Sequence, residues 1–287
     1  MNRFQENYNP KHQQVFLLTL IGLLILRIPF FAGMYFFNLQ QEWTYTVFDI
    51  GTYLLTTFLI WYEIDNLSTY HIDTLAVIII VLFKPVQSLM LNFWGTDFYN
   101  PAFPVISSLA IWLIAIFFIL GVWWKRTKLP SIKLVNLGWL LIGLLAGLIT
   151  SVVLSFPWSY QISVNSLPYR FLDNNVLKEI TSLFFYQVGF PAISEEPLFR
   201  GFLWGYLRTM KWKDIWIFLF QAGLFTLSHI YYISAPISFW IIVPIVSLVL
   251  GWLAWRSRTI TSSMMAHGMI NAALRPFGYL IAMYRFG

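Results

Sequence analysis

The sequence predicts an all-α fold: a polytopic transmembrane helix bundle of about eight spans, with a polar site inside its C-terminal helices. Three observations predict it. Of 287 residues, 59% are hydrophobic and only 10% charged, against roughly 25% charged in soluble domains, so there is too little polar surface to coat a globule in water. Apolar runs of spanning length recur along the whole chain. One of them is interrupted by two adjacent acids, Glu195 and Glu196, in the stretch Ser194-Glu-Glu-Pro-Leu-Phe-Arg200. A carboxylate in hydrocarbon is expensive, so an intramembrane acid is read first as a functional site.

The apolar runs lie at 15–37, 47–62, 72–94, 104–124, 134–156, 176–207, 214–234, 237–255 and 260–283. The first is longer than the apolar stretch of a signal peptide and lacks a small-residue cleavage site, so it reads as a retained span. The second is short. The sixth is too long for one straight crossing and holds Pro191 and Pro197, and the last holds Arg275-Pro276. The organisation expected is an accessory set of helices over 1–156, an external loop over 157–175 and a core of helices over 176–287.

Basic residues sit in short loops: Lys125, Arg126, Lys128 and Lys133 in one, Arg208, Lys211 and Lys213 in a second, Arg256 and Arg258 in a third. By the positive-inside rule these loops are cytoplasmic and the N-terminus starts inside. Loops 38–46 and 95–103 carry only Glu42 and Asp97. Loop 63–71 breaks the pattern, with Glu63 and Asp65 and no Lys or Arg. The net charge of +6 is an orientation signal, not a nucleic-acid footprint. The 14 Trp suit interfacial belts at both faces. The absence of cysteine removes disulfides, thiolate catalysis and Cys-bound metals. The expected location is the cell membrane, multi-pass, with the lipid bilayer as the solvent.

Arg27, Lys84, Arg200, His229, His267 and Arg275 are among the other ionisable residues within or at the spans. Arg27 and Lys84 are expected to snorkel or to find a local carbonyl. The rest form helical patterns. Glu196 and Arg200 are four apart and share a face, while Glu195 is rotated by about 100° and points elsewhere. Phe225 and His229 are four apart, as are His267 and Asn271. Glu195, His229 and His267 each lie about 13–23 Å from the cytoplasmic side at helical rise, so three helices bring polar groups to one depth. Each piece also has a plainer reading. Ser194-Glu-Glu-Pro resembles a helix N-terminus, with Ser as cap. His229 alone is compatible with a satisfied core histidine, and His267 with Asn271 with interhelical hydrogen bonding.

These residues resemble the CPBP family, the CAAX proteases and bacteriocin-processing (Abi) membrane proteins. The family motif E-E-x-x-x-R matches Glu195, Glu196 and Arg200. F-x-x-x-H matches Phe225 and His229, and H-x-x-x-N matches His267 and Asn271. The resemblance covers the chain from about Val176 onward; Pro197, directly after the acids, argues for a break or a helix start there. It implies an intramembrane glutamic endopeptidase acting on a protein or peptide substrate within or at the membrane. Glu195 would be the general base on a water, with His229 helping to hold it. His267 and Asn271 would donate to the oxyanion, and Glu196 would pair with Arg200. No cofactor, no metal and no nucleic acid enter that reading.

Three rivals stay open on sequence. Two histidines and a glutamate are also a Zn²⁺ ligand set, although no His-Glu-x-x-His is present. A non-catalytic immunity or scaffold protein would retain the motif residues as structural glue. A proton pathway would also use acids and histidines, but here they cluster at one depth and no inverted repeat is visible.

Overall fold

The computed structural model describes residues 10–39, 42–94, 105–125, 129, 132, 134–161 and 176–286. Loop 95–103, Arg126, Lys128 and Lys133, and most of the expected external loop 157–175 fall outside the described residues. Those described are helical or in short connections, with no strand among them.

In chain order the helices are α1 (Pro10–Phe36), α2 (Glu42–Tyr62), α3 (Thr74–Leu89), α4 (Val105–Lys125), α5 (Leu134–Ser159), α6 (residues 176–209), α7 (Asp214–Leu227), α8 (Ser238–Ser257) and α9 (Ile260–Phe286). Among the described residues α1, α4, α5 and α8 are each long and apolar enough to cross a membrane. Helix α2 and the 3₁₀ segment Ile64–Tyr70, bent by 105° at their junction, make a fifth if counted as one span.

The outer surface is inverted relative to a soluble protein. Along α5 the buried positions are Gly143, Gly147, Ser151, Leu154, Ser155 and Ser159, all but one of them small, while Leu141, Leu145, Ile149 and Val153 face outward. On α4, Phe117 and Trp124 are 70% and 85% exposed. Small residues inside and large apolar residues outside are what lipid-solvated helices require, since lipid gives no reason to hide a leucine and close packing favours small side chains. This is the exterior of a membrane protein.

Helix α5 lies along α9 at close range. A methyl group added at Gly143 would collide with the backbone of Ser262, and one at Gly147 with the backbone of Ala266. Ser151 extends the stripe by one more turn. Its hydroxyl lies 2.7 Å from its own helix's Gly147 carbonyl and 3.3 Å from that of Met269 on α9.

One end of the bundle is a polar seam. Arg208 donates to Asp214 at 3.0 and 2.7 Å, and Arg258 reaches the same carboxylate at 3.5 Å. Arg208 also donates to Nε2 of His71 at 3.2 Å, and the Ile260 N–H donates to the His71 carbonyl. Asp73 caps α3 by accepting from the Ala76 N–H, and also accepts from Thr261 and Asn136. So the connection 63–73 lies at the same end as the basic turns 208–214 and 256–261. Its acidity, anomalous in the sequence, has a local use: Glu63 is buried, 2.6 Å from His12 and 3.3 Å from Asn66.

Three segments depart from regular α geometry at a proline, whereas Pro157 in α5 and Pro276 in α9 lie in regular helix. Leu26–Phe30 around Pro29, Val188–Ala192 around Pro191 and Pro197–Leu203 starting at Pro197 are all π turns. Proline lacks the N–H that an α-turn needs, and a widened turn is one way to continue the helix regardless. The break expected at Pro197 is therefore absent. Glu196, Pro197 and Trp204 all keep helical backbone angles, and α6 runs continuously from 176 to 209. Ser194 is not an N-cap; its hydroxyl donates back to the Pro191 carbonyl at 3.0 Å.

Candidate functional site

Helix α6 carries the acids to the middle of the molecule, in a single α-turn between two π turns. Glu195, Glu196 and Arg200 are all at most 2% exposed. The two acids diverge, as adjacent residues on a helix must.

Glu196 faces α8 and α9. Its Oε1 accepts from Arg200 at 3.3 Å, one turn on, and from Nδ1 of His267 at 2.8 Å. Arg200 is fully buried and donates further to the Ser247 carbonyl and hydroxyl on α8, at 3.2 and 3.1 Å. Its guanidinium stacks over the Phe225 ring at 4.2 Å. Arg200 thereby ties α6, α7 and α8 together.

Glu195 faces the other way. Its Oε2 is 3.9 Å from Nε2 of His229 and 3.9 Å from Nε2 of His267, and has no hydrogen-bond partner among the described residues. His229 sits at the end of α7, where the helix closes at Ser228. Its Nδ1 lies 2.8 Å from the Phe225 carbonyl. A carbonyl only accepts, so Nδ1 carries the proton and the neutral ring presents a lone pair at Nε2. The Phe225 ring, 4.6 Å from the imidazole, completes that fixation. His267 is held in the same sense by Glu196. Two imidazole Nε2 atoms and one carboxylate oxygen, from three helices, thus converge.

Of the residues singled out by sequence, Glu195, Glu196, Arg200, His229 and His267 come together, with Phe225 packed among them. Asn271 is one turn beyond His267 on α9, and its amide donates to Gln187 Oε1 at 3.2 Å. It shares a helix face with His267 without touching the Glu195 carboxylate.

Two residues were misread from sequence. Arg27 and Lys84 neither snorkel nor settle on a local carbonyl. Arg27 is 3% exposed, and its terminal nitrogen lies 2.5 Å from Glu195 Oε1 and 3.4 Å from His229 Nε2. Lys84 is 2% exposed and pairs with Asp49 at 2.8 Å, above the Phe190 ring. In both cases a buried acid on another helix outcompetes the interface, because a charge in a low-dielectric interior gains most from a charged partner.

The same arginine argues against a resident divalent cation. A guanidinium already takes one oxygen of Glu195 and faces the lone pair of His229, two of the three ligands a metal would need. Among the described residues no group of three or more His, Asp or Glu is arranged to hold a metal ion.

Residues 178–273 match the family model described as type II CAAX prenyl endopeptidase, Rce1-like. That segment is of the CPBP family. The matched residues enclose all three motifs, from Glu195 to Asn271, and leave Arg27 outside. No curated protein and no solved structure matches the chain. The matched family is one of proteases, whose substrates are peptides at the membrane.

Proposed function

We propose that this protein is an intramembrane glutamic endopeptidase, cleaving a peptide bond in a membrane-associated protein by attack of an activated water. The observation that carries this is the convergence of Glu195 Oε2 with the Nε2 atoms of His229 and His267, inside a segment of the CPBP family. We assign the catalytic core to residues 176–287, the supporting helices to 1–156 and the connection between them to 157–175. We further propose about eight spans, resting on the apolar runs of the sequence, and a location in the cell membrane.

In this reading Glu195, as carboxylate, takes a proton from water held between its Oε2 and His229 Nε2, and the hydroxide adds to the scissile carbonyl. The C–N bond then breaks, and the proton passes from Glu195 to the departing amine. His267 and Asn271 donate to the oxyanion, a role worth roughly 3–4 kcal/mol per donor in other enzymes. The hydrogen bonds set conditions on both donors. With Nδ1 committed to Glu196, His267 can donate from Nε2 only as the doubly protonated ring, and Glu196 is the counter-charge for it. Asn271 must turn its amide away from Gln187. Arg200 balances Glu196, without which two adjacent buried acids could not both stay ionised.

A second reading is a non-catalytic immunity or scaffold protein. The Arg27–Glu195 ion pair favours it, because a carboxylate held by a guanidinium is a structural link before it is a base.

The test is cleavage by the purified protein in detergent of a mixed panel of prenylated, leader-bearing and unmodified hydrophobic peptides, with products read by mass spectrometry. Cleavage at a defined bond, unchanged by a chelator, is expected. Loss of cleavage with chelator would restore the metal, and no cleavage of any peptide would favour the scaffold.

A further inference from the structure

Arg27 lies outside the family-matched segment, on the first helix, 168 residues before the acid it meets. Its guanidinium is almost wholly buried. One terminal nitrogen bridges Glu195 Oε1 at 2.5 Å and His229 Nε2 at 3.4 Å. The Phe31 ring, one turn on, lies 4.7 Å under the guanidinium carbon. The π turn Leu26–Phe30 presents the side chain, with Pro29 inside it. Phe31 is itself packed against Phe48 and Tyr231, at 4.7 and 5.3 Å, so α1, α2 and the turn after His229 wall this corner together.

The geometry divides the work of the Glu195 carboxylate. Arg27 takes Oε1. That leaves Oε2 as the oxygen facing the two imidazoles, with no hydrogen-bond partner among the described residues. A carboxylate on a flexible glutamate arm could otherwise rotate about its last bond and exchange the two oxygens. A guanidinium stacked over Phe31 and presented by the π turn removes that freedom. The same nitrogen also faces the His229 lone pair, so the base and its helper are set at one mutual distance by a single cation.

We propose that Arg27 is a positioning residue of the hydrolytic site: it fixes Glu195 and His229 for attack, and makes the N-terminal helix a working part of the active centre. This rests on the peptidase reading above. It predicts that Arg27 acts on the chemical step, while substrate binding depends on other surfaces.

The experiment is steady-state cleavage of one peptide by purified full-length wild type, Glu195→Gln, Arg27→Gln and Arg27→Lys, with melting curves for each. Arg27→Gln is expected to lower kcat by about 100-fold, the scale of a misplaced catalytic group, with KM within about twofold of wild type. Arg27→Lys keeps a cation in reach of Glu195 and is expected to fold and to recover part of kcat; should Arg27→Gln fail to fold, the lysine variant alone still reports the split. Wild-type kcat in folded Arg27→Gln, or a loss confined to KM in either variant, would overturn the inference and leave the peptidase reading intact. Full activity of Glu195→Gln would instead overturn the peptidase reading, and this inference with it.

Discussion

Arg200 shows how one side chain can hold a membrane site together. Fully buried, it offsets Glu196, reaches Ser247 on α8 and stacks on Phe225 of α7. Removing one partner of a buried ion pair typically costs about 3–5 kcal/mol, because the other charge is left uncompensated. Arg200→Ala is therefore expected to melt well below wild type as well as to lose cleavage; an unchanged melting curve would contradict the structural role. The Glu196–Arg200 pair was legible in the sequence from its spacing of four. The partnership of Arg27 with Glu195 was not, since a contact between helices so distant in the chain leaves no periodic trace. What the sequence did carry was the anomaly of an arginine in hydrocarbon. Choosing the local explanation for it was the error.

At the scale of elements, the site depends on how closely α9 approaches α5. His267 directly follows Ala266, whose backbone abuts Gly147, so this helix contact lies one residue from the site. Gly147→Leu is expected to destabilise by about 1–3 kcal/mol through overpacking and to lower cleavage, read by melting and by kcat. The polar seam makes a second element-scale prediction. Burial, then the charges of Arg208 and Arg258, push the His71 imidazole down to about 3 from its ordinary 6.5. The folded state thus keeps this ring neutral, while the unfolded chain binds a proton below about pH 6.5. The stability it contributes is complete above that pH and declines as pH falls toward 3. Melting temperature should drop between pH 7 and 4, and His71→Gln should flatten that drop; an identical slope in the variant would contradict it. The three motif-bearing helices were readable because each pattern repeats at helical spacing. The continuity of α6 through Pro191 and Pro197 was not readable, because a π turn and a helix break begin with the same missing N–H.

Among the described residues, large apolar side chains face outward while Arg27, Glu195, Glu196 and Arg200 lie buried together. Composition alone made the apolar exterior legible: a chain only 10% charged has too little polar surface to coat a globule in water. Composition did not show that the N-terminal helices, expected to be accessory, supply a charge to the centre. The central claim is that the convergence of α6, α7 and α9, backed by α1, performs hydrolysis with Glu195 as base. It is tested most directly by comparing purified wild type and Glu195→Gln for peptide cleavage, together with their melting curves. The substitution keeps the size and shape of the side chain and removes its ability to take a proton from water. Cleavage by wild type alone, with both proteins folded, is the result predicted; cleavage by folded Glu195→Gln at the wild-type rate would contradict it.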